Sequence, residues 1–388
     1  MKIAYIELNY HSECLNSFCH AFKGRHDQVE IYTLTSIYKD LSHNNYIKHF
    51  TWVLCDKKKS LFLKNNINTI NKNDVVLIGT LEKSIPDFFT IKFNIPVILR
   101  VHGGNFYFNR KNNFSLPNTL SGIVDSIHFL VKNILINREL KLLNTLTKNM
   151  KNISFTSEII FNHFRGLLQN NHLNIVESIP LEVFEPLYNE PKNNNVYTIA
   201  IPGSVDVIRR DYKPVLDALN KIKQKINVPI EIYLLGKPIG YKGRWVVKTF
   251  KSLIHNKISI YTFDEEVQQS EFERIMKKTN LILSLIKPVN QHYFYLEQVG
   301  LTKISGTVSD IIRYGKYGLI PDFYPVQGKT EKAIIHYNSS DDLAEKLLNF
   351  INSSSSLSAE EAAIVFSDYS ADVIYNKTMK VFDKILNP

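Results

Sequence analysis

The stretch GLTKISGTVSDIIRYGKYGLIPD, residues 300–322, decides the fold of this chain. It reads as a loop (KISGT), a short helix that opens at Thr307 or Ser309, a stop marked by glycines (YGKYG) and a strand (GLIPD). Small residues and hydroxyls crowd the start of this helix, where free backbone N–H groups and the positive end of the helix dipole favour an anion. An ordinary capped helix of an α/β domain fits the same residues, so the stretch leaves both interpretations open.

The residues around the helix start have separate expected roles. Ser305, Gly306 and Thr307 let a phosphate come close to the backbone, and Thr307 or Ser309 can cap the helix. Asp310 follows in the first turn, where its charge is too close to the phosphates to serve them. We expect its carboxylate to accept hydrogen bonds from the hydroxyls of a ribose.

Length and composition narrow the class of protein. The chain has 388 residues, which predicts two domains, and its 44% hydrophobic content is enough for sizeable cores. The net charge of +10 favours acidic partners such as nucleic acid, anionic lipid or phosphorylated small molecules. Because the basic residues are scattered and form no nucleic-acid module, we expect no nucleic-acid partner.

The sequence also bears on location and metals. It contains no apolar run long enough to span a membrane, and its first residues, MKIAYIELNY, predict a strand, not a signal peptide. The cysteines, Cys14, Cys19 and Cys55, form no CxxC pair and fit a reducing cytoplasm. We therefore expect a cytoplasmic protein without a structural zinc site.

Short runs rich in Val, Ile and Tyr predict two successive α/β domains. Continuous apolar runs such as VVLIG fit strands buried on both faces, which is typical of a parallel sheet between helices. A Pro-, Glu- and Asn-rich passage, 180–195, separates the halves as a linker. The strands are expected at 2–8, 28–34, 51–55, 74–79, 96–101 and 152–156, and then at 196–202, 229–235, 257–263, 280–286 and 317–321.

These elements give a domain plan. We expect an N-terminal Rossmann-like domain at 1–185 and a C-terminal one at 196–365, with the C-terminal helix, 370–388, assigned to the first. One segment departs from the pattern, because apolar stretches at 109–151 are surrounded by Lys and Arg. It fits an amphipathic surface on an anionic membrane or, as we expect, core-packed helices with a solvated basic face.

The segment IPGSVDVIRRDYKPVLDAL, residues 201–219, resembles the start of the C-terminal domain in GT-B glycosyltransferases of group 1. In that family a strand ends in Gly-Arg, a Lys follows six residues after the Gly, and both cations bind the donor diphosphate. Here Gly203 holds the glycine position, Ser204 replaces the arginine and Arg209 replaces the lysine. Arg210 is the residue that would compensate for Ser204.

The later pieces fall in the family's order. The strand that ends in YTF resembles the one whose following loop holds the nucleobase, so Thr262 and Phe263 are candidates, although Phe263 also fits the core. Retaining members carry a Glu-x7-Glu motif, whose second acid matches Asp310 and whose first matches Thr302. Because Thr302 is no acid, Glu297 is the nearby candidate to replace it.

Two loops of the first half complete the expected site. RVHGGNF follows a buried strand, and family members often place a His-Gly here against the donor, which points to His102, Gly103 and Gly104. His102 would also serve as an acid or base near neutral pH. The loop after the first strand holds His11 and Glu13, which fit either a base for the acceptor hydroxyl or solvated loop groups.

The resemblance implies two Rossmann-like α/β domains facing a cleft, the GT-B fold, with the last helix crossing back to the first domain. It implies glycosyl transfer from a nucleotide-sugar to a glycan or lipid-linked acceptor, with Arg209, Lys303 and the amides of 305–307 neutralising the diphosphate. No Asp-x-Asp is present, so we expect no metal and no other cofactor. Retention and inversion stay open.

The family's habits further imply synthesis of a bacterial surface polysaccharide such as lipopolysaccharide or capsule. A peripheral position on the inner face of the cytoplasmic membrane is left open by the basic charge. Two alternatives share the fold: a nucleotide-sugar epimerase or hydrolase, and a non-catalytic nucleotide-binding scaffold.

Overall fold

Two parallel sheets form the framework of the protein. The computed structural model describes residues 1–82, 84–110, 112–116, 120–131, 141–143, 145–146, 150, 152–168, 174–186, 196–292 and 294–387. Within these ranges a seven-stranded sheet, a six-stranded sheet and a two-stranded hairpin are present. We call the first sheet with its helices the first lobe, and the second sheet with its helices the second lobe.

The first sheet has the order β3-β2-β1-β4-β5-β6-β7, and its strands pair in parallel. All six residues of β4 are buried, as expected for a strand covered by helices on both faces. The strands are β1 (Lys2–Glu7), β2 (Gln28–Leu34), β3 (Thr51–Cys55), β4 (Val75–Thr80), β5 (Val97–Val101), β6 (Asn152–Phe155) and β7 (Asn174–Ile175). The helices are α1 (Ser12–Phe22), α2 (Thr35–Leu41), α3 (Lys59–Ile70), α4 (Ile85–Phe89), α5 (Gly104–Phe108), α6 (Leu120–Phe129) and α7 (Glu158–Leu168).

The second sheet has the order β10-β9-β8-β11-β14-β15, and the chain reverses direction across the sheet between β8 and β11. Ligands of open α/β sheets bind at the carboxyl ends of the strands at such a switch point. The strands are β8 (Tyr197–Pro202), β9 (Ile230–Leu235), β10 (Ile258–Thr262), β11 (Leu281–Leu283), β14 (Tyr317–Pro321) and β15 (Ile334–Tyr337); β12 (Val289–His292) and β13 (Tyr295–Gln298) form the hairpin. The helices are α8 (Lys213–Ile222), α9 (Gly240–Lys251), α10 (Gln269–Lys278), α11 (Gly306–Tyr314), α12 (Ser340–Asn352) and α13 (Ala359–Val365).

The last helix, α14 (Ala371–Leu386), belongs by its contacts to the first lobe. Its Ile374, Val381 and Phe382 are buried in the cluster that holds Tyr5 and Phe18 of the first lobe. The expected crossing of the C-terminal helix is therefore confirmed. The domain limits 1–185 and 196–365 stay predictions, and most of the expected linker, 187–195, lies outside the described residues.

Helix α11 differs at its start from the sequence expectation. It begins at Gly306 with Ser305 as the N-cap residue, and no side chain caps it, so the expected cap at Thr307 or Ser309 was wrong. Asp310 is consequently the fifth residue of the helix, just after the first turn in which it was expected. The glycine stop is confirmed, because Gly315 has a φ of +60°, in the left-handed region that favours glycine.

The hairpin β12–β13 joins the two lobes, although it belongs to the second in sequence. Phe294 and Leu296 pair with residues 113–115 of the first lobe through two backbone hydrogen bonds, of 2.8 Å (Ser115 N to the Phe294 carbonyl) and 2.9 Å (Leu296 N to the Asn113 carbonyl). Between them, Tyr295 is 5% exposed and packs in the core of the first lobe against Phe106. The hairpin of the second lobe therefore packs into the core of the first lobe, and this packing fixes how the two lobes are placed relative to each other.

The basic segment 109–151 does not pack as expected where it can be seen. Residues 111, 117–119, 132–140, 144, 147–149 and 151 lie outside the described part. In the remainder, Ile123, Val124 and Ile127 of α6 are exposed, so for these side chains the expectation of core-packed helices was wrong. None of the helices in the described ranges is both long and apolar enough to cross a lipid bilayer.

The interlobe core should dominate the stability of the hairpin junction. Tyr295→Ala removes a buried aromatic side chain, and we expect it to lower the free energy of unfolding by about 3 to 5 kcal/mol. Denaturant titration followed by circular dichroism measures this loss. The matched control is Tyr241→Ala, whose side chain is 72% exposed and whose loss should change stability by no more than about 0.5 kcal/mol. Equal effects of both variants would contradict the role given to Tyr295.

Candidate functional site

The candidate site lies where loops at the carboxyl ends of both sheets meet. The loop after β5 contacts the loop before α11, because the Gly104 amide donates to the Thr302 carbonyl at 2.9 Å and Gly103 forms a β-bridge with Lys303. His102 thus comes next to the second lobe, and the charge of Lys303 adds to the effect of burial, which is the main cause that lowers the pKa of that histidine. The expected facing of the two loops is what the structure shows.

Gly203, at the end of β8, is covered by an arginine side chain. Its φ of +91° is in the left-handed region, and a Cβ here would lie 2.0 Å from a terminal nitrogen of Arg210. Arg210 is held in place by a hydrogen bond of 3.0 Å from its Nε to the carbonyl oxygen of Ser204. Ser204 therefore contributes its backbone carbonyl to this position, and the compensation of Ser204 by Arg210 stays a prediction.

Arg209 and Arg210 have different surroundings. The Arg209 side chain is 57% exposed and pairs with Asp206 through its Nε at 2.8 Å. Burial lowers the pKa of Arg210, and the charges of Tyr212, Asp206 and Asp310 act in the opposite direction. The geometry favours Arg210 over Arg209 as the cation for a phosphate.

The start of α11 has room for a ligand at one residue. A Cβ on Gly306 would meet nothing within 4 Å, while Ser305 and Thr307 are buried on either side. The first amides of the helix consequently border open space at Gly306. This is the arrangement expected for a phosphate near the positive end of the helix dipole.

Asp310 lies among charged groups from both lobes. Arg313 donates to its Oδ1 at 3.1 Å, and the Nε of Arg313 is buried without a hydrogen-bond partner in the described chain. Burial raises the pKa of Asp310 to about 7, against the lowering effect of Arg313 and Arg210, and the charge of Glu13 raises it further. The carboxyl is thus ready to gain or lose a proton near neutrality. Arg313 escaped the sequence analysis, although its i+3 spacing from Asp310 was a usable signal.

The glycine pair after His102 is explained by packing. A Cβ on Gly103 would lie 3.0 Å from Oε1 of Glu297, and one on Gly104 would lie 2.0 Å from the ring of Phe164. Glu297 itself is 2% exposed. Its carboxylate accepts from the amides of Asn105 and Phe106 at 3.3 and 2.9 Å, and from the Thr302 hydroxyl at 2.5 Å. Glu297 therefore holds the two loops together, and the expected catalytic role for it stays a prediction.

His102 is fixed in one neutral form. Its Nε2 donates to the Gly79 carbonyl at 2.9 Å, which leaves Nδ1 as an acceptor in the neutral ring. Burial, and next the positive charges of His11 and Arg100, hold the pKa of His102 well below its usual range. The side chain is thus suited to accept a hydrogen bond at Nδ1 but resists taking up a proton, which argues against the expected role as an acid or base near neutral pH.

His11 and Glu13 form a pair beside His102. Nδ1 of His11 lies 2.8 Å from Oε1 of Glu13, and the His11 ring stacks on His102 with centroids 4.6 Å apart. Burial lowers the pKa of His11, but the hydrogen bond and charge of Glu13 outweigh it, so the pKa is raised. A histidine oriented by a carboxylate is an arrangement used in general base catalysis.

Glu7 is a site residue that the sequence analysis missed. It ends β1 and is fully buried, with its carboxylate accepting from the Asn9 amide at 3.0 Å and the Thr80 hydroxyl at 2.8 Å. Burial raises the pKa of Glu7 to about 7, although the charge of His11 lowers it. An acid at the end of an otherwise apolar strand was the available signal.

Three possible metal ligands meet at this place. One ligand atom each from His11, Cys14 and His102 lies within 4.8 Å of the others. The two imidazole planes are inclined by only 14°, so their in-plane lone pairs do not converge on one ion between the stacked rings. The described residues thus fit a metal poorly here, and the absence of a metal requirement stays a prediction.

The expected nucleobase contacts lie away from this cluster. Thr262 ends β10, the edge strand that β9 separates from β8. Phe263 is half-buried against the cluster that holds Tyr233 and Ile275, as the core interpretation predicted. Their contact with a base stays a prediction.

The buried acid Glu7 should make stability depend on pH. Its carboxyl holds a proton more tightly in the folded chain, with a pKa of about 7 against a usual value of 4.5. The free energy of unfolding contributed by Glu7 therefore falls as pH rises from about 4.5 to about 7. Relative to the wild type, Glu7→Gln should gain about 3 kcal/mol of stability over this range, measured by urea denaturation at several pH values. Glu360→Gln, on an exposed part of α13, should show no such gain; a parallel pH curve for both variants would contradict the prediction.

Comparison with known proteins bears on the fold. No family model and no curated protein matches the sequence. The chain is similar to HepE from Anabaena, solved with UDP and glucose, at 10% identity over 98% of both chains, with a TM-score of 0.59. It is also similar to the pneumococcal O-GlcNAc transferase GtfA, solved with UDP and GlcNAc, at 8% identity over 100% of this chain and 99% of GtfA, with a TM-score of 0.60. OtsA aligns over 100% of this chain and 99% of its own at 10% identity, with a TM-score of 0.55. These similarities concern the fold, and this chain has the GT-B fold, as its sequence resemblance implied.

Proposed function

We propose that this protein transfers a glycosyl group from a nucleotide-sugar to an acceptor hydroxyl. The observation that carries the proposal is that Arg210, whose guanidinium lies over Gly203, and Asp310 of α11 lie close enough for each charge to shift the pKa of the other. A cation in the loop after β8 suits the phosphates of a nucleoside diphosphate, and an acid in α11 suits its ribose hydroxyls. HepE and GtfA, which share the fold, were solved with UDP.

The diphosphate is assigned to the second lobe. Arg210 and Lys303 supply positive charge, and the amides at the start of α11 supply donors beside Gly306. Arg209 would then act at longer range, since its ion pair with Asp206 already uses its charge. Developing negative charge on the leaving diphosphate is stabilised by these groups without a metal.

Asp310 is assigned to the ribose. Its pKa near 7 means that added negative charge from the diphosphate shifts the carboxyl toward its protonated form, which limits repulsion. Arg313, bonded to its Oδ1, keeps the carboxyl oriented in either state. Both oxygens can therefore take part in hydrogen bonds to the sugar hydroxyls.

The acceptor proton is assigned to the pair His11 and Glu13. Deprotonation by this pair suits an inverting reaction, in which the acceptor hydroxyl attacks the donor sugar directly. Position 302, which holds the first acid of the retaining motif, is a threonine whose hydroxyl is bonded to Glu297. The buried carboxylate of Glu297 is already used by three hydrogen bonds, which favours inversion.

We further place this activity in the cytoplasm, in the assembly of a bacterial surface polysaccharide such as lipopolysaccharide or capsule. The support is the net charge of +10, which suits a phosphorylated donor and an acceptor carried on an anionic lipid. A glycan or a lipid-linked glycan is the acceptor class that fits this proposal. Nucleobase contacts at Thr262 and Phe263 belong to the same proposal.

Two ligands and three variants separate the assigned roles. We expect Arg210→Gln to weaken binding of both UDP and inorganic pyrophosphate at least about tenfold, because a charged hydrogen bond to phosphate is lost. Asp310→Asn should weaken UDP and leave pyrophosphate unchanged, since pyrophosphate has no ribose. Isothermal titration calorimetry measures both.

The matched control is Arg209→Gln, which removes the same charge one residue away and should change either affinity by less than about threefold. Equal losses for Arg209→Gln and Arg210→Gln would contradict the assignment of Arg210. Unchanged UDP binding in all three variants would contradict the donor site as a whole.

Catalysis is tested by product release. Candidate nucleotide-sugars are incubated with and without oligosaccharide acceptors in the presence of EDTA, and free nucleoside diphosphate is measured. If the protein is a transferase, nucleoside diphosphate should be released only when an acceptor is present. The double variant His11→Gln with Glu13→Gln should slow this release by about a hundredfold or more and leave the affinity for UDP unchanged. Conversion of the donor without acceptor would instead indicate an epimerase or hydrolase. Binding of nucleotide without conversion of any donor would indicate a non-catalytic scaffold.

A further inference from the structure

Helix α9 has two sharply different sides. Its buried side packs on the second lobe, where Gly243 approaches the loop after β8 so closely that a Cβ would lie 2.5 Å from the Val205 carbonyl oxygen. This contact fixes the rotation of the helix, and therefore which side chains face solvent. The buried side consists of Gly243, Val246, Val247 and Phe250, at spacings of three and four residues.

The exposed side of α9 is aromatic and cationic. Tyr241, Arg244, Trp245 and Lys248 repeat the same spacing on the opposite side of the helix. Tyr241 is 72% and Trp245 62% exposed, both unusually high for large aromatic side chains. The helix, GYKGRWVVKTFK, carries four cations and no acid. In the part of the chain that the structure describes, no carboxylate pairs with Lys242, Arg244, Lys248 or Lys251.

Apolar side chains extend this surface at both ends of the helix. Ile239 precedes α9 and is 40% exposed, and Ile254 follows it and is 57% exposed. Exposure of grouped aromatic and aliphatic side chains to water is unfavourable, and such a patch surrounded by polar or charged residues is typical of an interaction surface. They match the boundary of a lipid bilayer, where aromatic rings lie at headgroup level and Lys or Arg stems cross apolar surface to reach phosphates.

We propose that the exposed side of α9 docks on an anionic lipid surface. The helix would lie parallel to the membrane, with Tyr241 and Trp245 among the headgroups and Arg244 and Lys248 on lipid phosphates. An anionic polysaccharide would satisfy the cations but offers nothing apolar to Ile239 and Ile254, so lipid is the better match. The proposal uses no part of the donor site and stands or falls separately from glycosyl transfer.

Trp245 provides a direct readout. The chain has two tryptophans, and Trp52→Phe leaves Trp245 as the remaining one. The full-length variant is mixed with phosphatidylcholine vesicles that contain or lack phosphatidylglycerol. We expect the Trp245 emission to move to shorter wavelength and to be quenched by brominated acyl chains only with phosphatidylglycerol, and high salt to reverse both effects.

Other outcomes would overturn the proposal. Sedimentation with anionic vesicles without any change in Trp245 emission would show that a different surface, such as the exposed side chains of α6, binds the lipid. A response to dextran sulfate but not to anionic vesicles would identify an acidic polymer as the ligand. If Trp52→Phe does not fold, the difference between the emission of wild type and Trp245→Phe gives the same readout.

A charge-matched pair of double variants locates the cations. Arg244→Gln with Lys248→Gln should weaken binding to phosphatidylglycerol vesicles about 30-fold, from about fivefold for each cation near an anionic surface. Lys223→Gln with Lys225→Gln removes the same charge elsewhere in the second lobe and should have little effect. Equal losses in both double variants would mean attraction by net charge alone and would overturn the proposal.

Discussion

The buried carboxylate of Glu297 is the constraint on which the arrangement of the site depends. It comes from the second lobe, yet its main partners are backbone amides of the first, at Asn105 and Phe106. Removing a carboxylate from water is unfavourable unless hydrogen bonds replace those of the solvent, and here the amides and the Thr302 hydroxyl do so. Because these bonds span two loops, neither loop can move without leaving the charge unsatisfied. This fixes the position of His102 relative to Lys303. His102 precedes Gly103, which forms a β-bridge with Lys303, and Lys303 follows Thr302, which donates to the Glu297 carboxylate.

Around this junction the site balances buried acids against cations of both lobes. Glu7 and Asp310 each have a pKa raised by burial to about 7, while Arg313 bonds Asp310 directly and the charge of Arg210 also acts on it. Such a site is poor at holding extra cations and well suited to receive an anion, because a diphosphate can replace the acids as the partner of the arginines. The pKa of His11 is raised and that of His102 is lowered, so in this stacked pair His11 takes up a proton more readily, while His102 keeps a neutral ring with Nδ1 as an acceptor.

The strands and the crossing helix could be predicted from the sequence because their signal is local. Strands such as β4 are apolar throughout because helices cover both faces of the sheet. Helix α14 shows an amphipathic pattern along its own sequence. The hairpin β12–β13 was missed because its partners, residues 105–115, lie about 180 positions away in the chain, and its alternating polar residues gave no apolar run. Arg209 and Arg210 could not be distinguished by counting either. Adjacent residues of a loop point in different directions, and only the packing of the 203–210 loop shows that Arg210 covers Gly203. The glycine pair after His102 was read as space for a ligand, whereas Glu297 and Phe164 fill that space.

One loop connects the proposed docking surface with the donor site. Residues 203–210 end at the guanidinium of Arg210, and in the middle Val205 accepts from the Ile239 amide at 2.9 Å, at the start of α9. Ile208 on the same loop is 53% exposed, so part of this loop faces solvent with the helix. The positions of α9 and of this loop are therefore coupled. Gly243 packs against Val205 without room for a side chain, so α9 cannot move toward the loop unless the loop moves too. If α9 rests on a lipid surface, the loop that carries Arg210 is therefore held near that surface, which would suit an acceptor carried on a lipid.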